Sequence, residues 1–365
     1  MRSRIKQLWV LKAAAFSLLL ALSGCELAWV LRKGFPSVED GARFSRKSVK
    51  AGEQVFQFNS QPTERQFKVH EGKKTSSLND FLLETKTTAF LVLHCDTLIV
   101  EQYFDGYTDT TRPNVFSVTK SFLGTLVGCA LEDGYIDSLE QSVREYVPEL
   151  REEFNAVTLR HLLQMRTGIS YPEAGTYYQD NWRELLPSLK LRGQPDKEWV
   201  YRSINSQLLG LALERALPNI SLTDYLQQRL WVPLGMESDA FWNTDESEPG
   251  LEKAFCCLNA TARDLAKLGR LYLNYGRWEG EQIVPQDWIQ QSVTRDTVRK
   301  TWPFYGYHWW LLRGDQQEYM ARGFLGQYIY VNPVKEVVIV RLGTARGGQG
   351  FHGWEKIFAS LARSI

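Results

Sequence analysis

The sequence predicts a mixed α/β (α+β) protein in which one antiparallel sheet is assembled from both ends of the chain. Strand-like patterns occur in pairs at 88–104 and 325–343, whereas helical spacing dominates residues 138–295. Because the paired strands flank the helical region in sequence, that region is expected to form an inserted, mainly helical lobe beside the sheet. A cleft between lobe and sheet is the expected place for a binding site.

The predicted strands combine β-branched and aromatic residues, with turns between them. Residues 88–95 (TAFLVLHC) and 97–104 (TLIVEQYF) read as an antiparallel hairpin. A second hairpin is predicted from 325–331 (LGQYIYV) and 336–343 (EVVIVRLG), with the turn Asn-Pro-Val-Lys between them. Residues 305–312 (YGYHWWLL) are predicted as a further, aromatic strand.

The helices are predicted from apolar residues that recur every three or four positions. One such helix runs through Phe122 and Leu131 and ends at Gly134. Thr158 and Thr261 are placed as N-caps of two later helices. The remaining helical segments are 157–168, 205–217, 222–231, 260–276 and, at the end of the chain, 351–365.

The N-terminus differs from the rest of the chain. Residues 1–24 combine a basic start with the short apolar run 13–22, which is typical of a secretory signal. The run ends in Leu-Ser-Gly-Cys25, which resembles a bacterial lipobox and implies a lipidated cysteine; an ordinary signal peptide or an uncleaved anchor is the alternative. We therefore expect a membrane-anchored, periplasm-facing lipoprotein, with Glu26 weakly favouring the outer membrane. Residues 25–60 are predicted to be a tether, and 61–365 the folded domain.

Composition excludes several classes of function. The 43 basic and 42 acidic residues give a net charge of +1, so no nucleic-acid or polyanion surface is expected. The five histidines are scattered and no Cys-x-x-Cys occurs, so neither a metal nor a cofactor is predicted. The four remaining cysteines are expected to be buried free thiols; they are Cys95, Cys129, Cys256 and Cys257.

Residues 116–122 (FSVTKSF) contain the strongest candidate for a reactive group. Ser117 and Lys120 are three residues apart at the start of a predicted helix, where a buried amine can make a hydroxyl nucleophilic. Desolvation lowers the pKa of a lysine and lets it accept a proton. The spacing alone is weak, because Ser3 and Lys6 repeat it, and a helix cap with an exposed lysine is the alternative.

A second element gives this pair its context. Tyr201-Arg202-Ser203 stands seven residues before Leu208-Leu209-Gly210. The two segments resemble the Ser-x-x-Lys and Tyr-x-Asn motifs of the serine β-lactamase and penicillin-binding protein superfamily. The resemblance spans residues 85–365 and is closest to the class C β-lactamase-like hydrolases, in the branch with 6-aminohexanoate-dimer hydrolase and related esterases. It implies a β-lactamase/transpeptidase-like fold.

The chain departs from the superfamily pattern at two places. The usual Lys-Thr-Gly strand is replaced by 321–327 (ARGFLGQ), which removes a partner of the β-lactam carboxylate that Arg322 could partly replace. Ser203 replaces the amide of the second motif, although a serine there can also simply cap the following helix. Both changes favour esters or non-peptide amides over β-lactams.

The resemblance implies acyl transfer without a cofactor. Ser117 would attack the carbonyl, Lys120 would take its proton, and Tyr201 would relay that proton to the leaving group; either Lys120 or Tyr201 could be the true base. Backbone N–H groups of Ser117 and Phe324 would hold the oxyanion, with Gly323 and Arg322 beside them. A purely structural β-position explains Phe324 equally well.

Three functions remain open from the sequence. The first is a serine hydrolase acting on small esters or amides, and the second is a penicillin-binding peptidase or β-lactamase. The third is a catalytically idle lipoprotein that binds wall fragments or partners. The presence of Ser117, Lys120 and Tyr201 together argues against the third.

Overall fold

The computed structural model describes residues 34–72, 74–297, 302–314, 317–350 and 352–365. Strands β1 to β14 are Arg46–Val49, Asn59–Ser60, Lys68–Glu71, Lys74–Ser77, Thr87–His94, Thr97–Tyr103, Ala240–Asn243, Leu258–Asn259, Arg277–Trp278, Glu281–Gln282, Trp310–Leu311, Tyr319–Gly323, Gln327–Asn332 and Val337–Gly343. Helices α1 to α11 are Leu78–Glu84, Thr119–Glu132, Val143–Tyr146, Leu159–Leu163, Glu173–Tyr178, Trp182–Leu185, Ser203–Ala216, Leu222–Leu226, Ala262–Leu273, Gln286–Ser292 and Gly353–Ser364.

The main sheet has seven strands in the order β11-β12-β13-β14-β5-β6-β2. Strand β14 from the end of the chain pairs antiparallel with β5 from its beginning, so both chain ends contribute to one sheet, as predicted. Every pairing in it is antiparallel except that of β2 with β6. Both predicted hairpins are confirmed.

The sheet lies between helical layers because its central strands are apolar on both faces. On one side Phe90 and Ile339 pack with Trp354 and Phe358 of α11. On the other side Leu91 and Val340 join the larger core that contains α2 and α9. Alternate residues of one strand point to opposite faces, which explains why Phe90 and Leu91 enter different cores.

The middle of the chain forms the mainly helical lobe predicted for 138–295. The predicted caps are confirmed, since the Thr158 hydroxyl accepts from the His161 N–H and the Thr261 hydroxyl from the Asp264 N–H. The small strands β7 to β10 also belong to this region, and α9 packs on the sheet, so the lobe is not wholly separate from it.

The predicted tether is wrong for the part of it that the structure describes. Strand β1 pairs antiparallel with β7, joining Arg46–Val49 to the lobe, and β2 extends the main sheet. Val49 is fully buried there. Residues 34–60 therefore belong to the folded domain, whereas the predicted signal peptide and Cys25 lie outside the described residues.

Two further predictions need correction. The predicted aromatic strand at 305–312 is a strand only at Trp310–Leu311, because His308 has a positive φ of 61° and the chain turns back there. Among the cysteines, Cys256 and Cys257 form a disulfide instead of free thiols. Cys95 is exposed because it occupies a two-residue hairpin turn in which both residues have positive φ. Of the four cysteines in the described part of the chain, only Cys129 is a buried free thiol.

Candidate active site

The predicted nucleophile lies where the chain turns sharply into a buried helix. Phe116, directly before Ser117, has a positive φ of 48°, which is unusual for a bulky side chain. The Asn114 side chain supports this turn by accepting the Phe116 N–H at 2.8 Å. Backbone strain of this kind concentrates at functional sites. Ser117 stands in the short 3-10 turn Phe116–Val118, immediately before α2.

Helix α2 is buried along almost its whole length and fixes the position of Lys120. Every residue from Thr119 to Ala130 is buried. Gly128 makes this possible, since a Cβ there would lie 2.3 Å from the ring of Trp288. His308 contacts the first turn of α2, with its Nδ1 2.9 Å from the Lys120 carbonyl oxygen. Burial lowers the pKa of His308 to about 3, so this imidazole stays neutral.

Lys120 is 1% exposed, and its Nζ has three oxygen neighbours. It lies 2.8 Å from Ser117 Oγ, 3.2 Å from Ser203 Oγ and 2.8 Å from the Phe255 carbonyl oxygen. None of these is a carboxylate. Burial lowers the pKa of Lys120 to about 7, a shift that the negative charge of Glu173 partly opposes. The amine is therefore poised to exchange protons near neutrality.

Tyr201 precedes helix α7 and faces the same pair. Its ring centroid lies 5.0 Å from Lys120 Nζ. Burial raises the pKa of Tyr201, and the hydrogen bond with Ser117 only partly offsets this. The side chain is thus a phenol at neutral pH. The structure places the three predicted catalytic side chains, Ser117, Lys120 and Tyr201, in one group.

The beginning of α7 brings Ser203 into this group. The residue before it, Arg202, provides no side-chain cap. Instead the Ser203 N–H donates to the carboxylate of Glu173 at 2.7 Å. Its hydroxyl faces Lys120. Ser203 is therefore directed into the site, and it does not act as a simple helix cap.

The segment 321–327 forms the opposite border of the site. A Cβ on Gly323 would lie 2.4 Å from the Val115 carbonyl oxygen, so only glycine lets β12 approach the nucleophile turn this closely. Phe324 follows, with its ring 5.5 Å from that of Phe116 in an edge-to-face contact. This places the Phe324 backbone beside the turn that carries Ser117.

Arg322 is less available to substrate than the sequence suggested. Its guanidinium forms an ion pair with Glu355 and lies 5.0 Å from the centre of the Trp310 ring. Its side chain is 9% exposed, and burial lowers its pKa to about 10. A substrate carboxylate would have to compete with Glu355 for this charge.

These groups line one cleft of about 780 Å³, a volume typical of small-molecule sites. Its walls are mostly aromatic or apolar. The lining residues are Phe35, Pro36, Phe116, Ser117, Glu173, Tyr177, Trp199, Tyr201, Ser203, Phe255, Cys256, Trp302, Trp310, Arg322, Gly323, Phe324, Tyr328, Arg346 and His352. All seven cleft residues predicted from the sequence are among them or, for Lys120, contact them directly.

Sequence reasoning missed several contributors to this cleft. Phe255 acts through its carbonyl oxygen, a group that every residue has, so no sequence signal marks it. Glu173 lies 30 positions from the Ser203 amide that it binds. Tyr177, which also lines the cleft, lies on helix α5 and is buried. Of the adjacent tryptophans, Trp309 is core and Trp310 lines the cleft.

No cluster that could hold a metal ion occurs among the described residues, and none of their helices is long and apolar enough to cross a membrane.

Comparison with known proteins agrees with this arrangement. Residues 82–361 match the protein family described as Beta-lactamase. The chain therefore belongs to the β-lactamase family.

Particular relatives narrow its place in that family. A 6-aminohexanoate-dimer hydrolase from Paenarthrobacter ureafaciens is 29% identical over 298 residues, which cover 73% of this chain and 75% of the relative. A Bacillus anthracis structure assigned as a 6-aminohexanoate-dimer hydrolase superposes with a TM-score of 0.81 at 25% identity, covering 90% of this chain and 93% of that one. A class C β-lactamase mutant shares the fold, with a TM-score of 0.61 and 17% identity over 79% of this chain and 95% of that one. The chain is a β-lactamase-family hydrolase related to these proteins.

Proposed function

We propose that this protein is a serine hydrolase that cleaves esters or small linear amides through an acyl-enzyme on Ser117. The observation that carries the proposal is the position of Lys120, whose buried Nζ lies 2.8 Å from Ser117 Oγ without a carboxylate in contact. A charged ammonium group in such a place would be costly, whereas a neutral amine is a competent base.

The three neighbours of Lys120 Nζ suit a neutral amine. The Phe255 carbonyl can only accept, so it takes one N–H. The Ser203 hydroxyl accepts the second N–H, which leaves the nitrogen lone pair for the Ser117 O–H. Ser117 Oγ can then attack a carbonyl carbon while its proton passes to Lys120.

Tyr201 is suited to the next proton transfer. As a neutral phenol hydrogen-bonded to Ser117, it can donate its proton to the leaving oxygen or nitrogen and regain one through Lys120. Water then attacks the acyl-enzyme by the same steps in reverse. This assigns the base role to Lys120 and the relay to Tyr201, the choice that the sequence left open.

The oxyanion is assigned to the backbone N–H groups of Ser117 and Phe324. The close approach of Gly323 to the Val115 carbonyl supports this pairing, because it brings β12 beside the nucleophile turn. Ser117 also stands at the amino-terminal end of α2, where the helix dipole favours developing negative charge.

The preference for esters and linear amides rests on two departures from the superfamily pattern, at the Tyr-x-Asn motif and at the Lys-Thr-Gly motif. Lys-Thr-Gly is absent, Arg322 is paired with Glu355, and Ser203 offers a shorter arm than an amide. The name of the Paenarthrobacter relative adds one concrete amide substrate to test, the 6-aminohexanoate dimer.

The proposal is tested by acylation and turnover of the purified protein. A fluorophosphonate probe, p-nitrophenyl acetate, the 6-aminohexanoate dimer and a chromogenic cephalosporin are compared on wild type and Ser117→Ala. Ser121→Ala is the control, because that hydroxyl lies on α2, four residues after Ser117, but donates to the His308 carbonyl. We expect labelling and ester or dimer hydrolysis that only Ser117→Ala abolishes. Cephalosporin turnover at a comparable rate would point to a β-lactamase, and absence of any acylation would leave a non-catalytic binding protein.

We also propose that the protein is a lipoprotein anchored through Cys25 on the periplasmic side of a membrane. The lipobox-like Leu-Ser-Gly-Cys25 and the apolar run before it support this. Metabolic labelling with radioactive palmitate should mark the wild type and not Cys25→Ser. Equal labelling of both would refute the anchor.

A further inference from the structure

The segment that follows the predicted anchor forms one wall of the catalytic cleft. Phe35 and Pro36 line the same cleft as Ser117. They belong to residues 34–43, at the start of the first described stretch of the chain; we call these residues the entry segment. It begins only nine residues after Cys25.

The entry segment is fixed to the site by hydrogen bonds at several points. The Tyr178 hydroxyl donates to the Gly34 carbonyl, and the Tyr177 hydroxyl donates to Asp40 at 2.8 Å. Val38 is buried, and its carbonyl accepts the Asn114 N–H at 2.8 Å. Asn114 in turn supports the strained turn before Ser117. The entry segment is therefore held in place by these contacts and forms a wall of the site.

The rim of the cleft is apolar on two sides. Phe35 on the entry segment is 48% exposed, and Phe324 beside the oxyanion position is 42% exposed. Trp199 and Trp302 also belong to the apolar lining, and their rings are stacked 5.7 Å apart. Exposed aromatic rings on a cleft that is otherwise built for small molecules indicate an apolar ligand that reaches the surface.

The length of chain between Cys25 and the entry segment limits how far the cleft can lie from a membrane to which Cys25 is anchored. Phe35 stands ten positions after Cys25, so ten residue-to-residue steps connect them. At full extension they span at most about 36 Å, since a residue adds no more than about 3.6 Å. An enzyme lipidated at Cys25 would keep the rim of its cleft within that distance of the bilayer surface.

We propose that the cleft receives the apolar acyl chain of an amphiphilic ester at the membrane surface, with the entry segment as the wall against which that chain packs. This inference rests on the proposed hydrolase activity and on lipidation at Cys25. It names the substrate class that the sequence left open.

The first test is the dependence of turnover on acyl-chain length. Wild type, Phe35→Ala and the control Val334→Ala are assayed with p-nitrophenyl acetate, butyrate and octanoate; Val334 is 63% exposed and lies outside the cleft. We expect kcat/KM of wild type to rise with chain length, by up to about fourfold for each methylene group that becomes fully buried. Phe35→Ala should lower the ratio of kcat/KM for octanoate to kcat/KM for acetate at least about fivefold. No rise with chain length, or equal losses on all esters, would overturn the proposal.

The second test concerns the membrane. Lipidated enzyme in vesicles of phosphatidylethanolamine and phosphatidylglycerol is compared with a variant carrying twenty Gly-Ser residues inserted after Cys25. Turnover of a long-chain ester dissolved in the same vesicles should fall with the insertion, whereas soluble p-nitrophenyl acetate should be hydrolysed equally. Equal turnover of the vesicle-bound ester would refute surface delivery. If the wild type does not hydrolyse p-nitrophenyl acetate at all, the underlying hydrolase activity is refuted instead.

Discussion

At the scale of single residues, Lys120 sets the expected dependence of activity on pH. Its pKa is lowered to about 7 by burial, so the amine is protonated and unable to accept a proton at lower pH. We expect kcat/KM for p-nitrophenyl acetate to fall about tenfold for each pH unit below that value and to level off above it. Lys120→Arg should abolish turnover, because a guanidinium stays protonated throughout this range. A flat profile between pH 5 and 8 would contradict the assigned base.

Glu173 should tune that same profile. Its negative charge favours the protonated form of Lys120 and opposes the effect of burial on the pKa. Glu173→Gln removes the charge but keeps an oxygen that can accept the Ser203 N–H. The pKa of Lys120 should therefore fall further, and the acid limb of kcat/KM should move to lower pH. If the fall of kcat/KM on the acid side stayed at the same pH or moved to higher pH, the electrostatic effect assigned to Glu173 would be contradicted.

Tyr201→Phe separates the proton relay from the base. The phenol hydroxyl is lost, while Lys120 keeps its three oxygen neighbours. The expected loss in kcat is about 100- to 10,000-fold, the usual range for a general acid–base group. The residual activity of the variant should still fall on the acid side at the pH set by Lys120. A loss below about threefold would remove Tyr201 from the mechanism.

The sequence could predict these side chains only where chemistry and spacing coincide. Ser117 and Lys120 lie one helical turn apart, so local geometry alone brings them together. Tyr201 was predicted because its segment resembles a known motif. Glu173 and the Phe255 carbonyl lie 53 and 135 positions after Lys120, and neither has a local pattern, so only the folded lobe reveals them.

At the scale of elements, strand β12 should tolerate no side chain at Gly323. A Cβ there would meet the Val115 carbonyl at 2.4 Å and push the strand away from the nucleophile turn. We expect Gly323→Ala to reduce kcat roughly 100-fold or more, because a displaced oxyanion donor stabilises the transition state poorly. Gly350→Ala is the matched control, since a Cβ at Gly350 has no atom within 4 Å. Equal activity of the two variants would exclude this strand from the oxyanion site.

Elements were predictable where the pattern is long and its ends are marked. The hairpin of β13 and β14 has two runs of apolar residues and a clear turn, and it was found within about two residues. The aromatic run 305–312 has strand-like residues too, but Gly306 packs against the Ser292 carbonyl, where a Cβ would lie at 2.0 Å. That tertiary contact holds a turn which composition does not indicate.

At the scale of the whole molecule, the sheet closure from both chain ends was predictable and the docking of residues 34–60 was not. Their polar, mixed composition is typical of a linker. The structure instead pairs Lys47 on β1 with Glu252, at 3.1 Å, in the lobe. The Glu252 side chain is fully buried and also accepts the Thr223 N–H and hydroxyl. A partner more than 200 positions away leaves no mark in the local sequence.

This docking predicts a large effect of truncation. A form that starts at residue 61 loses β1, the buried side chains of Val38 and Val49, and the cation beside Glu252. An unpaired buried carboxylate alone costs about 3–5 kcal/mol, so Tm should fall by at least about 6 °C. A form that starts at residue 34 keeps every contact described above and serves as the control. Thermal unfolding of the two forms, followed by circular dichroism, is the measurement. Equal Tm values would return residues 34–60 to the role of a tether, whereas the expected drop makes them part of the domain that positions Ser117.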